Sequence, residues 1–224
     1  MRTHARILVA ASAPLLLISV PLTGCSSAAI WAREAVLGEE KREQLVANVE
    51  RARVEQHEAK ETFATALDEL LAISSGGNAR DALEAQYRTI ESSFDKSESK
   101  AKAVNDRIKA IDRVAGKLFS EWESELDDYE SDSLRGQSEV QLAATKQKYE
   151  LLIASMRRAA SRMEPVLSAF RDQTLFLKHN LNAQAIASLE TDLEEIRVDV
   201  SSLIADMEAA IAEADAFIQS VRGG

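Results

Sequence analysis

From residue 39 onward, apolar side chains recur at alternating steps of four and three. That spacing places them on one stripe of an α-helix. Leu45, Val49, Ala52, Gln56, Ala59, Phe63, Ala66, Leu70 and Ile73 predict a first helix over about residues 39–73, with one amide, Gln56, set into the stripe. Ser74, Ser75, Gly76, Gly77 and Asn78 interrupt it, since paired glycines favour turns and left-handed backbone. Leu83, Tyr87, Ile90, Phe94, Ser97, Ala101, Val104, Ile108, Ile111, Ala115, Leu118 and Trp122 then keep the same step without a slip. They predict a second helix over residues 79–129, which at ~1.5 Å per residue is a rod of roughly 70 Å. The polar run from Tyr129 to Ser133 reads as a turn that offers N-cap side chains to the next helix.

A third helix is expected to start near Ser133, with Leu142, Thr145, Tyr149, Leu152, Met156, Ala159, Met163, Val166 and Phe170 in its stripe. Pro165 lies inside it. A proline cannot donate to the carbonyl of Ser161 and crowds it, so a kink is expected there. The pattern fades over Leu177, Lys178, His179, Asn180, Leu181 and Asn182, and Asn182 is placed to cap a fourth helix beginning at Ala183. That helix carries Ile186, Leu189, Leu193, Ile196, Val200, Leu203, Met207, Ala210, Ala214, Phe217 and Val221, flanked by Ile204, Ile211 and Ile218. The wider apolar face suits a bundle of three or more helices rather than a two-stranded seam. The expected fold is all-α: an elongated antiparallel helical bundle, or coiled coil, of about four long helices.

The N-terminus departs from this pattern. Arg2 and Arg6 precede an apolar run from Ile7 to Val20, which ends in Pro21, Leu22, Thr23, Gly24 and Cys25. About 14 apolar residues are too few to cross a hydrocarbon core of ~30 Å as a helix, so the run reads as an export signal. Small residues before the chain's one cysteine resemble the lipobox of bacterial lipoproteins. The resemblance implies a diacylglycerol on Cys25 and removal of residues 1–24; the alternative is an uncleaved signal anchor with a structural Cys25. By the same resemblance, Ser26 after the lipidated cysteine implies sorting to the outer membrane. Residues 25–38 form a tether and residues 39–224 the helical domain. Trp31 in the tether reads either as a membrane-interface residue or as a packing residue of the first helix.

Charge narrows the function further. Residues 25–224 hold 25 basic and 37 acidic side chains, a formal charge of −12. A nucleic-acid binder needs a basic face to neutralise phosphates, so nucleic acid is not an expected partner. Ala, Glu, Leu, Lys and Arg dominate, as in long helices.

No phosphate loop, nucleophile elbow or dinucleotide fingerprint occurs in the sequence. His57 and His179 lack the Glu three residues earlier that di-iron bundles use; Val54 and Phe176 stand there. No cofactor, metal site or catalytic residue is assigned, and the protein is not expected to be an enzyme. Two places combine a broken pattern with distinctive side chains. One is the acidic run Glu121, Glu123, Glu125, Asp127, Asp128, Glu130 and Asp132 around Trp122. Acids there oppose the helix dipole, and Arg135, the Arg157–Arg158 pair or a partner could compensate them. The other is the corner formed by Lys178, His179, Asn180 and Asn182, which reads as a capped helix junction or as a recognition site. Trp122 and these four residues are the candidate interaction residues.

From Lys41 onward the chain resembles the bacterial domain-of-unknown-function 2959 family. Lys41-Arg42 with Leu45-Val46, Leu118-Phe119 with Glu121-Trp122-Glu123, Leu134-Arg135, Met163 with Pro165-Val166-Leu167, and the run from Leu177 to Ala183 carry the resemblance. It implies a helical envelope protein with no assigned activity. The combined expectation is an outer-membrane-anchored periplasmic lipoprotein, held to the membrane through Cys25, with a structural or adaptor role toward a protein partner in the envelope. Homo-oligomerisation is left open. The alternatives are a regulatory interaction module of an envelope enzyme or transport complex, and a ligand-binder or enzyme that uses the His179 corner.

Overall fold

The structure, a computed structural model, describes residues 26–75, 80–182, 186 and 189–223. The export signal and Cys25 lie outside the described residues. The chain divides into two compact units, Met1–Val36 and Leu37–Gly224. Described residues of the first unit are helical. The second unit holds the core and every candidate interaction residue.

Four long helices account for the described chain: α1 (Ser26–Ser75), α2 (Arg80–Glu125), α3 (Asp132–His179) and α4 (Glu190–Arg222). A single 3₁₀ turn, Leu126–Asp128, follows α2. Among the described residues there is no strand, and no helix is long and apolar enough to cross a membrane.

Side-chain pairs fix the order of the helices. Lys41 pairs with Glu121, and Lys100 with Glu58, so residue numbers fall along α2 as they rise along α1. Arg53 meets Asp215 at 2.5 Å and Arg222 meets Glu50 at 2.7 Å, which sets α4 antiparallel to α1. Arg171 reaches Glu98 at 3.1 Å and Arg157 reaches Asp112 at 2.7 Å, pairing α2 with α3. Arg162 with Asp206, and Gln173 with Asp192, close α3 on α4. Each helix therefore lies between two antiparallel neighbours, while Phe63 of α1 and Phe170 of α3 meet across the core with ring centroids 6.3 Å apart. This is the up-down-up-down arrangement of a four-helix bundle.

The stripes read from the sequence form the interior. All nine α1 stripe positions are buried, as are those of α4 except the half-buried Val221. In α2 and α3, Tyr87, Phe94 and Thr145 are half-buried and the rest are buried. Large side chains alternate with Ala52, Ala59, Ala115, Ala159, Ala210 and Ala214, so that Phe63, Met156, Met163 and Phe217 fill the space left by small neighbours. Ser97, fully buried, donates to the Ser93 carbonyl at 2.8 Å and so adds no unpaired hydroxyl. Gln56 differs. It is 1% exposed, and neither amide atom has a hydrogen-bond partner. Such a group costs about 1–3 kcal/mol in lost hydration.

Helix boundaries depart from expectation at two places. The first helix starts at Ser26 rather than at residue 39, so residues 26–38 are helical. Gly38 by itself does not stop a helix whose other residues favour it. α2 ends at Glu125 and passes into the 3₁₀ turn instead of running to 129. The described part of the fourth helix is Glu190–Arg222; its expected start at Ala183 lies outside the described residues, and Ile186 is helical. Ile186 and Leu189 are buried, so the stripe crosses the junction without changing register. At the start of α3, the Ser131 hydroxyl accepts from Leu134 N–H, and the helix then continues through the exposed Pro165 with Met163 and Val166 both buried beside it.

Leu203 is fully buried and Glu195 exposed. Leu203→Ala is expected to lower stability by about 2–5 kcal/mol in urea titration, whereas Glu195→Ala should stay within about 0.5 kcal/mol of the parent. Gln56→Leu should raise stability by about 1–3 kcal/mol by removing the unpaired amide. A lowered midpoint for Gln56→Leu would show that the amide is paired in solution.

Candidate functional site

The candidate residues fall at opposite ends of the bundle, and they do not converge. Trp122 lies in the last turns of α2, 8% exposed. Its indole N–H donates to the Ser138 hydroxyl at 2.8 Å, and the Arg42 guanidinium lies 4.5 Å from its ring centroid. Trp122 is thus a packed, hydrogen-bonded residue whose ring also lines a cavity at this end. The acidic run beside it is partly neutralised from within the chain: Lys41 takes Glu121, Lys146 takes Glu123, and Arg135 takes Asp127 at 3.2 Å. Arg157 does not serve this run. It pairs instead with Asp112, whose other carboxylate oxygen accepts from the Tyr149 hydroxyl at 2.6 Å. Burial, then that bond to Asp112, holds the Tyr149 phenol well above its ordinary pKa.

The opposite end carries the corner. Leu177 is fully buried and anchors the last turn of α3, while Lys178 and His179 on the same turn are exposed. Asn180 ends the helix. Its N–H donates to the Leu177 carbonyl at 3.2 Å, and its side-chain amide donates to the Phe176 carbonyl at 2.9 Å. These bonds satisfy carbonyls that a helix C-terminus leaves free. The Asn182 carbonyl accepts from Ile186 N–H at 3.1 Å and so opens the next turn. The two asparagines shape the junction, and Lys178 and His179 are what the junction presents.

Because α2 runs antiparallel to α3, its first turns face this corner. Lys178, His179, Leu181 and Asn182 line an open cleft of about 690 Å³ with Arg80, Glu84, Tyr87, Arg88 and Glu91. Arg80 is paired to Glu84 at 3.2 Å; Arg88 and Lys178 have no carboxylate partner among the described residues. The Tyr87 hydroxyl donates to Glu91 at 2.7 Å. Partial burial, followed by that bond and the charges of Glu91 and Asp95, pushes its pKa from 10.0 up to about 12. Sequence reasoning missed Arg80, Tyr87 and Arg88. The available signal was topological: a short break at residues 74–78 between long helices folds α2 back on α1, and the next turn folds α3 back on α2.

The shift of Tyr87 has a consequence for stability. The folded state keeps the phenol proton above pH 10, where the unfolded chain releases it. The stabilisation is therefore complete below pH 10 and is lost as pH rises toward about 12. Tyr87→Phe should give a shallower fall of the urea midpoint between about pH 9.5 and pH 11 than the parent shows.

A family model described as a protein of unknown function, DUF2959, matches residues 31–221. No curated protein and no solved structure matches the chain. The matched span includes both ends of the bundle, with the Trp122 cavity and the His179 corner, and by this match the chain belongs to the DUF2959 family.

Proposed function

We propose that the protein is a non-catalytic scaffold or adaptor of the cell envelope, tethered to the periplasmic face of the outer membrane by lipid on Cys25, and that the cleft at the α2–α3 corner is where it meets a protein partner. The observation that carries this reading is the state of Arg88 and Lys178. In a chain with 37 acidic and 27 basic side chains, both stay without a carboxylate partner among the described residues, and both line one cleft beside His179. A bundle needs buried stripes and a solvated exterior; it does not need two unpaired cations and an imidazole gathered at a junction whose capping is done by other residues. An acidic or hydrogen-bond-accepting segment of a partner is the complementary chemistry. The Cys25 anchor rests on the residues that precede it, Leu22, Thr23 and Gly24, and on the apolar run from Ile7 to Val20.

Two measurements test this reading. Metabolic labelling with an alkynyl fatty acid should mark the wild type and leave Cys25→Ala unlabelled; an unlabelled wild type would contradict the anchor. A photo-crosslinking amino acid at position 179 in intact cells should give a discrete adduct with an envelope protein. Arg88→Ala together with Lys178→Ala should abolish that adduct while circular dichroism and melting stay unchanged. Persistence of the adduct in the double variant would remove the cleft from the function.

A further inference from the structure

The end of the bundle that holds Trp122 contains a second concave site, of different chemistry. A cavity of about 190 Å³ lies between the last turn of α4 and the Arg42–Trp122 stack. Leu45, Leu118, Trp122 and Val221 supply an apolar floor. Its polar side chains are Arg42, Gln141, Thr145, Lys148 and Ser220. Among the described residues, no carboxylate lines it. The α2–α3 cleft carries Glu84 and Glu91, and a groove on the outer side of Arg42 carries Glu43 and Glu50.

The charged groups lining this cavity are all cations. Thr145 already donates to the Gln141 carbonyl at 2.8 Å, and Ser220 to the Phe217 carbonyl at 2.8 Å, so both hydroxyl protons are used. Arg42, Lys148 and the Gln141 side chain have no hydrogen-bond or carboxylate partner among the described residues. The donors left over come from three side chains, two of them cations. Arg42 is also held in place. Its guanidinium carbon lies 4.5 Å from the Trp122 ring centroid, and Trp122 is fixed by its bond to Ser138. A cation–π contact of this kind consumes no guanidinium N–H group, so those of Arg42 remain free to pair with a carboxylate.

We propose that this cavity binds a small carboxylate with an apolar body about the size of one aromatic ring. The carboxylate pairs with Arg42 and Lys148, and the body lies on Leu45, Leu118 and Trp122. The volume agrees, because an apolar cavity of about 150 Å³ accommodates benzene. Ser220 and Val221 belong to the last turns of α4, so an occupant also bridges the end of α4 to α1, α2 and α3.

Phenylacetate is a suitable probe of the full-length chain, with phenylacetamide lacking the charge and acetate lacking the body. Ligand-observed NMR and the Trp122 indole N–H resonance should report saturable binding of phenylacetate, at least tenfold tighter than binding of either control. Arg42→Gln should weaken binding tenfold or more. Lys148→Gln, a change at an exposed residue, should leave melting of the free protein unchanged and weaken binding several-fold, most at low salt. The proposal is overturned if phenylacetate shows no saturable binding, if phenylacetamide or acetate binds as well, or if either variant binds like the wild type.

Discussion

The apolar stripes of the four helices have to be buried together, and every other feature depends on that constraint. Each stripe is two positions wide per heptad over most of its length, too narrow to close on itself and too long to leave in water. Burying one fully exposed Leu or Ile yields about 1.5–3 kcal/mol, whereas an exposed ion pair such as Arg171–Glu98 contributes at most about 1 kcal/mol. The ion pairs between neighbouring helices therefore select the antiparallel order and register, and the stripes supply the stability. Gln56 is the cost that this core carries, an unpaired amide in an otherwise apolar seam. A polar group at one seam position disfavours pairings that would bury it among still less suitable neighbours, which is the best-attested use of such residues in helical assemblies.

The regular stripes go into the core, and the exposed candidate residues lie at places where the periodicity stops. Those places are the two ends. At one, capping by Asn180 and the carbonyl of Asn182 frees Lys178 and His179 to face the first turns of α2. At the other, the last turn of α4 closes over the Arg42–Trp122 stack and leaves a cavity whose free donors face an apolar floor. The first is wide, polar and of mixed charge, as suits a protein segment. The second is small and, among the described residues, lined by no acid, as suits a compact anion.

What could be read from the chain follows the same division. Burial in a helix repeats every three or four residues, so Leu45 to Ile73 and Leu193 to Phe217 could be assigned to the interior from spacing alone, and they are interior. Helix ends are set by local competition that spacing does not record. Residues 26–38 contain no strong breaker and join α1. At the fourth helix, Ile186 and Leu189 are buried and hold the same stripe as the helix Glu190–Arg222. The site residues depended on pairing between helices. That Trp122 bonds to Ser138, and that Arg88 faces Lys178, follows only once α2 and α3 are known to be antiparallel neighbours. Of the cations expected to compensate the acidic run, Arg135 pairs with Asp127, whereas Arg157 stands level with Asp112 for the same reason of helix pairing.

The arrangement of the four helices is tested most directly by crosslinking designed pairs of cysteines in a chain whose Cys25 is replaced by serine. The pairs are Glu58 with Lys100, Glu98 with Arg171, Arg162 with Asp206, and Arg53 with Asp215, one for each neighbouring interface. With a short bis-maleimide at low protein concentration, all four should give intramolecular crosslinks that migrate as monomer. Failure of any one interface, or crosslinks that appear only between two copies, would contradict the closed up-down-up-down bundle.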